Sequence, residues 1–188
     1  NASADAISYL NTQYPEALRE AGKQGMLPLH YAARSNASME VVYILTNAYP
    51  SAVLAKDAAG RLPMHYATRN ATIGLDVVKF FAEFHPDALL TADHNGWLCL
   101  HYAARFSSNS KLLQFLAKIY PRALIEHDKE GWLPIHHAAL GAPCLEGVKV
   151  LVEEHPLVVL AKAGFTNKFC HDLAPAGSSK QALLHALY

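Results

Sequence analysis

Histidine is the residue type with the most chemical potential in this chain. Eleven are present, and four of them, His30, His65, His101 and His136, are spaced 35, 36 and 35 residues apart. Imidazoles in a regular series could bind a metal or move protons. A shared metal fails on distance. Elements repeating at this period stack about 10 Å apart, whereas zinc needs every ligand about 2 Å from one centre. His136 and His137 are adjacent and point differently on a helix, so they make no site either. Cys99 falls at a predicted helix start, where a thiol pKa can drop, but no spacing supplies it with a base. Gly22-Lys23 lacks the upstream glycine and following Ser or Thr of a phosphate loop. No carboxylate pair recurs at helical spacing in a predicted cleft. The sequence therefore offers no catalytic residue, no metal site and no cofactor site.

The histidines belong to a longer repeated stretch. It reads Gly25-Met26-Leu27-Pro28-Leu29-His30-Tyr31-Ala32, then Gly60-Arg61-Leu62-Pro63-Met64-His65-Tyr66-Ala67. It returns as Gly96-Trp97-Leu98-Cys99-Leu100-His101-Tyr102-Ala103 and as Gly131-Trp132-Leu133-Pro134-Ile135-His136-His137-Ala138. A fixed period of this size marks a stacked array whose units bury their apolar faces against one another. The stretch resembles the ankyrin repeat signature, Gly-x-Thr-Pro-Leu-His-x-Ala. Asp57, Asp93 and Asp128 stand three residues before the glycine, as the family prefers, and Gly22 takes that place in the first copy. The family's Thr is Leu in every copy (Leu27, Leu62, Leu98, Leu133), and the period exceeds the usual 33 or so residues. The resemblance implies that each column histidine is structural and hydrogen-bonds the backbone of its own hairpin.

A second landmark places the elements. Tyr14-Pro15, Tyr49-Pro50, His85-Pro86, Tyr120-Pro121 and His155-Pro156 recur in the same phase. Proline ends a helix and removes its predecessor from the helical region. Eight residues before each Pro stand Ile7, Val42, Val78, Leu113 and Val148. Five before stand Leu10, Leu45, Phe81, Leu116 and Leu151. This spacing predicts one buried helical face per unit. The following pairs Ala17-Leu18, Ala52-Val53, Ala88-Leu89, Ala123-Leu124 and Val158-Val159 predict a buried stem. Ser38 and Ser110 are candidate N-caps.

The expected fold is an all-α, ankyrin-like solenoid joined by short hairpins. Residues 1–18 form the second helix of a partial unit, followed by units at 19–55, 56–91, 92–126 and 127–161. Residues 162–188 form a degenerate cap, in which Asn167 replaces the glycine and Asp172 the histidine. The extra length falls between the helices, for instance at Ser35-Asn36-Ala37-Ser38, and also where Tyr-Pro stands in for the family's Gly; the second unit adds more around Ile73-Gly74. The chain opens at Asn1 inside a unit and without Met, which reads as a fragment or processed product.

The resemblance also says which residues the scaffold leaves to a groove. The position after the hairpin glycine gives Met26, Arg61, Trp97, Trp132 and, in the cap, Lys168. The position after the Ala pair gives Arg34, Arg69, Arg105 and Leu140. Lys23-Gln24, His94-Asn95 and Lys129-Glu130 form the hairpin tips. Trp and Arg are the residues most enriched at binding hot spots, and Arg can grip a carboxylate or stack on Trp. A second reading stands beside this one. On that reading the tryptophans pack across their hairpins, with the arginine stems covering the Tyr31, Tyr66, Tyr102 column.

Composition bounds the function. Sixteen basic and sixteen acidic residues balance, without the basic excess that nucleic acid or a membrane surface requires. No apolar run approaches the roughly 18–20 residues of a membrane span. Three cysteines (Cys99, Cys144, Cys170), an odd number, suit a reduced intracellular protein, with the cytoplasm the expected compartment. The Asn-x-Ser/Thr triplets at Asn1, Asn36 and Asn70 read as loop residues. The expectation is a non-catalytic module that binds a protein partner, an acidic or phosphorylated segment with apolar anchors, in its concave groove and at its hairpin tips. The alternative is a permanent subunit or spacer of a larger complex. It would make contact through array ends or outer helices, where Phe80, Phe84, Phe115 and Ile119 are candidates.

Overall fold

A computed structural model describes residues 4–35, 37–69, 74–141 and 145–187. The Asn1, Asn36 and Asn70 triplets, Cys144 and Ile73 lie at least partly outside them. The chain divides into two compact units, Asn1–His94 and Asn95–Tyr188.

The first unit holds α1 (Ala4–Gln13), α2 (Pro28–Arg34), α3 (Met39–Ala48), α4 (Pro63–Thr68) and α5 (Gly74–Phe84). Helices of six or seven residues such as α2 and α4 would not persist alone in water. They persist because α2 packs on α4 and each packs on its longer partner, α3 or α5. The expected face is buried: Val42, Val78 and Phe81 are fully enclosed and Leu45 nearly so. Leu10 departs from the pattern at 37 % exposed. Ser38 caps α3, its hydroxyl accepting from the Val41 N–H at 3.4 Å. Each aromatic-Pro step ends a helix and opens a short 3₁₀ turn, Pro50–Leu54 and Pro86–Leu90, that buries the predicted stem residues.

The second unit holds α6 (Cys99–Phe106), α7 (Ser110–Ile119), α8 (Pro134–Leu140) and α9 (Leu145–Glu154). Here α6 packs on α8 and α7 on α9. Leu113, Leu116, Val148 and Leu151 form the core. The α7 cap lies one residue earlier than expected: Asn109 Oδ1 accepts from Leu112 N–H at 3.1 Å, and Ser110 is the first helical residue. A two-residue hairpin follows, β1 (Lys162–Ala163) antiparallel to β2 (Lys168–Phe169). Asn167 turns it with φ 51°, as befits a residue in the glycine's place. Then α10 (Cys170–Leu173) packs on α8, and α11 (Ser179–Leu187) packs on α10 and α9. Lys180 reaches back from α11 to donate to the carbonyls of Ala138 and Gly141, at 3.2 and 2.7 Å. It thereby satisfies acceptors that the end of α8 leaves over.

Candidate partner-binding surface

The four column histidines are fastened at both nitrogens. The N–H groups of Leu27, Leu62, Leu98 and Leu133 donate to Nδ1 of His30, His65, His101 and His136 at 2.8 to 3.1 Å. A backbone N–H can only donate, so Nδ1 accepts and the ring proton sits on Nε2. That proton goes to the carbonyls of Arg61, Thr91, Trp132 and Ala161, at 3.0 to 3.2 Å. This corrects the expectation that each histidine serves its own hairpin. One nitrogen caps its own helix. The other ties that helix to the hairpin of the following repeat for His30 and His101 (Arg61, Trp132), and to the last residue of its own unit, just before the next hairpin, for His65 and His136 (Thr91, Ala161). The Leu that replaces Thr contributes only its backbone. Asp172 keeps half the device in the cap, accepting from Phe169 N–H at 3.1 Å. Burial lowers the pKa of all four histidines, to about 4 for His65 and His101. Cys99 is buried, and burial pushes its thiol well above the ordinary range.

The recurring aspartates organise the hairpins. Asp57 Oδ1 accepts from Ala59 and Arg61 N–H at 2.8 and 2.9 Å, and Oδ2 from the Tyr66 hydroxyl at 2.6 Å and Arg61 Nε at 3.0 Å. Burial alone would raise its pKa; these hydrogen bonds outweigh burial and lower it. Asp128 repeats the pattern with Glu130 and Trp132 N–H at 2.9 and 2.8 Å. In place of the tyrosine stands His137, whose Nε2 lies 2.8 Å from Asp128 Oδ2. Burial lowers the pKa of His137, with Asp128 opposing and Arg105 assisting. The hairpins are also stitched through their backbones: Ala58 N–H to Gln24 carbonyl and His94 N–H to Ala59 in the first unit, and Lys129 N–H to Asn95 and Gly164 N–H to Gly131 in the second.

The groove candidates fare unequally. In the first unit Arg34 and Arg69 are exposed. Arg61 is half-buried, bound to Asp57, with its guanidinium 5.0 Å from the Tyr66 ring centroid. Met26 is 1 % exposed beneath the Tyr66 hydroxyl, 3.7 Å from its sulfur. As a surface residue it is a correction: its flexible thioether fills the gap between hairpin and helix. In the second unit Trp97 and Trp132 are half-buried and flank His137, with ring centroids at 4.2 and 5.2 Å. Trp97 also meets Tyr102 at 5.0 Å and Phe106 at 6.1 Å. The tryptophans thus pack across their hairpins and still keep part of their surface. Arg105 is half-buried, and Leu140 and Lys168 are exposed. Sequence reasoning did not assign His137 and the aspartates their role as buried supports beneath this surface. The signal was present in the aspartates' fixed offset from the glycine.

Elsewhere in the first unit, an apolar cavity of ≈ 350 Å³ is lined by Ile7, Pro28, Tyr31, Ala32, Val41 and Leu45, among others. On the second helices of that unit Tyr43, Phe80 and Phe84 form an aromatic cluster, with Tyr43 55 % exposed. Among the described residues no cluster of three or more His, Cys, Asp or Glu could hold a metal. No helix among them is long and apolar enough to cross a membrane.

The family model for ankyrin repeats, in three copies, matches residues 29–123 and 71–161. No curated protein matches the chain.

Proposed function

The chain belongs to the ankyrin repeat family, and on that premise we propose that it holds a protein partner through its groove side and hairpin tips, without catalysis. Ankyrin repeats are in general protein–protein interaction modules and typically non-catalytic. The observation that carries the reading is the half-buried pair Trp97 and Trp132, both against His137, on which the charge of half-buried Arg105 acts. Packing fixes these large rings at one edge and leaves the other in water, the arrangement expected of hot-spot residues. Arg34 and Arg69 are the corresponding charges of the first unit. They suit an acidic or phosphorylated partner segment with apolar anchors, and a contact of about 800 Å² per side would be ordinary. The expected location is intracellular. The test is affinity capture from the native source with two baits. One is the unaltered chain; the other carries Arg69→Ala, Trp97→Ala, Arg105→Ala and Trp132→Ala and is shown by circular dichroism to be folded. A partner held by the first bait and lost by the second supports the groove. A partner held equally by both removes it.

A second reading, a permanent subunit of a larger complex, draws on the first unit. Tyr31 lines the cavity and is 40 % exposed, while its counterpart Tyr66 is 4 % exposed. Two equivalent side chains, one covered and one open, are what a further packing neighbour would even out. A third bait with Tyr43→Ser and Phe84→Ser reports on the outer aromatic cluster. Loss of the partner from that bait alone would favour this reading.

A further inference from the structure

One guanidinium in the second unit has a donor that its own packing leaves unsatisfied. Arg105 sits next to the end of α6 and is half-buried, and its Nη1 is covered without a hydrogen-bond acceptor among the described residues. A covered, charged donor with no acceptor is costly, and arginine cannot escape by losing its proton. The nearby acid is already occupied. Asp128 Oδ1 takes the N–H groups of Glu130 and Trp132, and Oδ2 faces His137 Nε2. Arg61 of the first unit has no such deficit on the side where it meets Asp57.

Arg105 is tied to aromatic residues through His137 and through Phe106, its neighbour in the chain. Its charge acts on His137, which lies between Trp97 and Trp132. Phe106, the next residue, stands 6.1 Å from Trp97 and is 42 % exposed. We propose that Arg105 anchors the side-chain carboxylate of one Asp or Glu in a partner segment, whose neighbouring apolar residues lie on Trp97, Trp132 and Phe106. This rests on the groove reading and narrows it to one place and one charge. A carboxylate fits better than a phosphate because Asp128 and Glu130 already bring negative charge to His137. One guanidinium offsets a single added charge there and falls short of two. Nη1 itself is covered, so the carboxylate meets the guanidinium at its uncovered nitrogens and compensates the charge that all three nitrogens share.

Trp97 and Trp132 are the chain's two tryptophans, so indole fluorescence and indole N–H resonances read this place directly. The probes are acetyl-Ser-Leu-Glu-Leu-Ser-amide, its Gln analogue and its phosphoserine analogue. The Glu peptide is expected to shift both indole resonances saturably and to bind about tenfold tighter than either analogue. Arg105→Gln should reduce it to the level of the Gln peptide, Arg105→Lys should fall between, and Arg122→Gln, at an exposed arginine outside the groove positions, should change nothing. Unshifted indole resonances in the free variants would show that the fold is kept. Equal binding of Glu and Gln peptides, tighter binding of the phosphopeptide, no saturable shift, or indifference to Arg105→Gln would each overturn the proposal. Capture of the native partner separates the two failures. A partner lost with the four-residue groove variant and kept by Arg105→Gln removes the carboxylate anchor alone. A partner kept by both removes the groove as well.

Discussion

Asp57 and Asp128 hold equivalent places in two hairpins, and each has one oxygen facing two backbone N–H groups. The second oxygen meets a tyrosine hydroxyl in one case and an imidazole in the other. Both carboxylates are buried and fully used, so removing one strands several donors at once. Asp57→Ala leaves the Ala59 and Arg61 N–H groups, the Tyr66 hydroxyl and the Arg61 side chain without that acceptor. Stranding donors on this scale should cost about 3 kcal/mol. Asp57→Asn keeps an oxygen for the two N–H groups and should cost about 1 kcal/mol. Urea denaturation of the two variants checks this. Equal losses would mean that the charge, and not the hydrogen-bond acceptance, is what counts.

At the scale of the element, the hairpin glycines are fixed by backbone and by space together. Gly96 has φ 82°, and a Cβ there would come within 2.8 Å of Lys129 N and 3.2 Å of Asp128 Cα. Gly177 has φ 71° and nothing within 4 Å of the same atom. The left-handed conformation costs a residue with a side chain about 1–2 kcal/mol. Gly177→Ala should lose that amount. Gly96→Ala should lose roughly twice as much, because rigid backbone, which cannot move aside like a side-chain tip, meets the new methyl. Thermal unfolding of the pair decides it; indistinguishable losses would show that the hairpin at Gly96 can open freely.

At the scale of the whole molecule, five buried histidines are carried neutral. Burial holds His30, His65, His101, His136 and His137 below the ordinary 6.5. A depressed pKa gives stability that is complete above pH 6.5, where the unfolded chain is also neutral, and that is lost as pH falls toward the folded value. His65 and His101, at about 4, each stand to contribute on the order of 3 kcal/mol across that window. Domain stability is only about 5–15 kcal/mol. The protein should therefore lose most of its stability between pH 6.5 and 4, before the carboxylates titrate. Urea midpoints measured from pH 7.5 to 4.5 should fall steeply. His101→Gln, which keeps an acceptor and a donor and does not titrate, should be less stable at pH 7 with a shallower acid slope. A flat profile from pH 6.5 to 5 would count against the buried neutral column.

The repeat itself was legible in the sequence because it rests on local rules. Proline stops the second helices, glycine and Asn167 take the positive φ of the hairpins, and apolar spacing of three and four sets the buried face. The columns of His, Trp and Arg could be read as columns, but their partners could not. Whether His30 bonds its own hairpin or the next one depends on how α2 meets α4, and that is a matter of packing. Met26 and Trp97 share one repeat position, yet Met26 is covered under Tyr66 and Trp97 lies half-open beside His137. Arg61 and Arg105 are the same residue type, one with Asp57 in reach and the other with a covered donor left over. Burial and hydrogen-bond satisfaction depend on neighbours brought together from distant parts of the chain, so only the tertiary structure decided them.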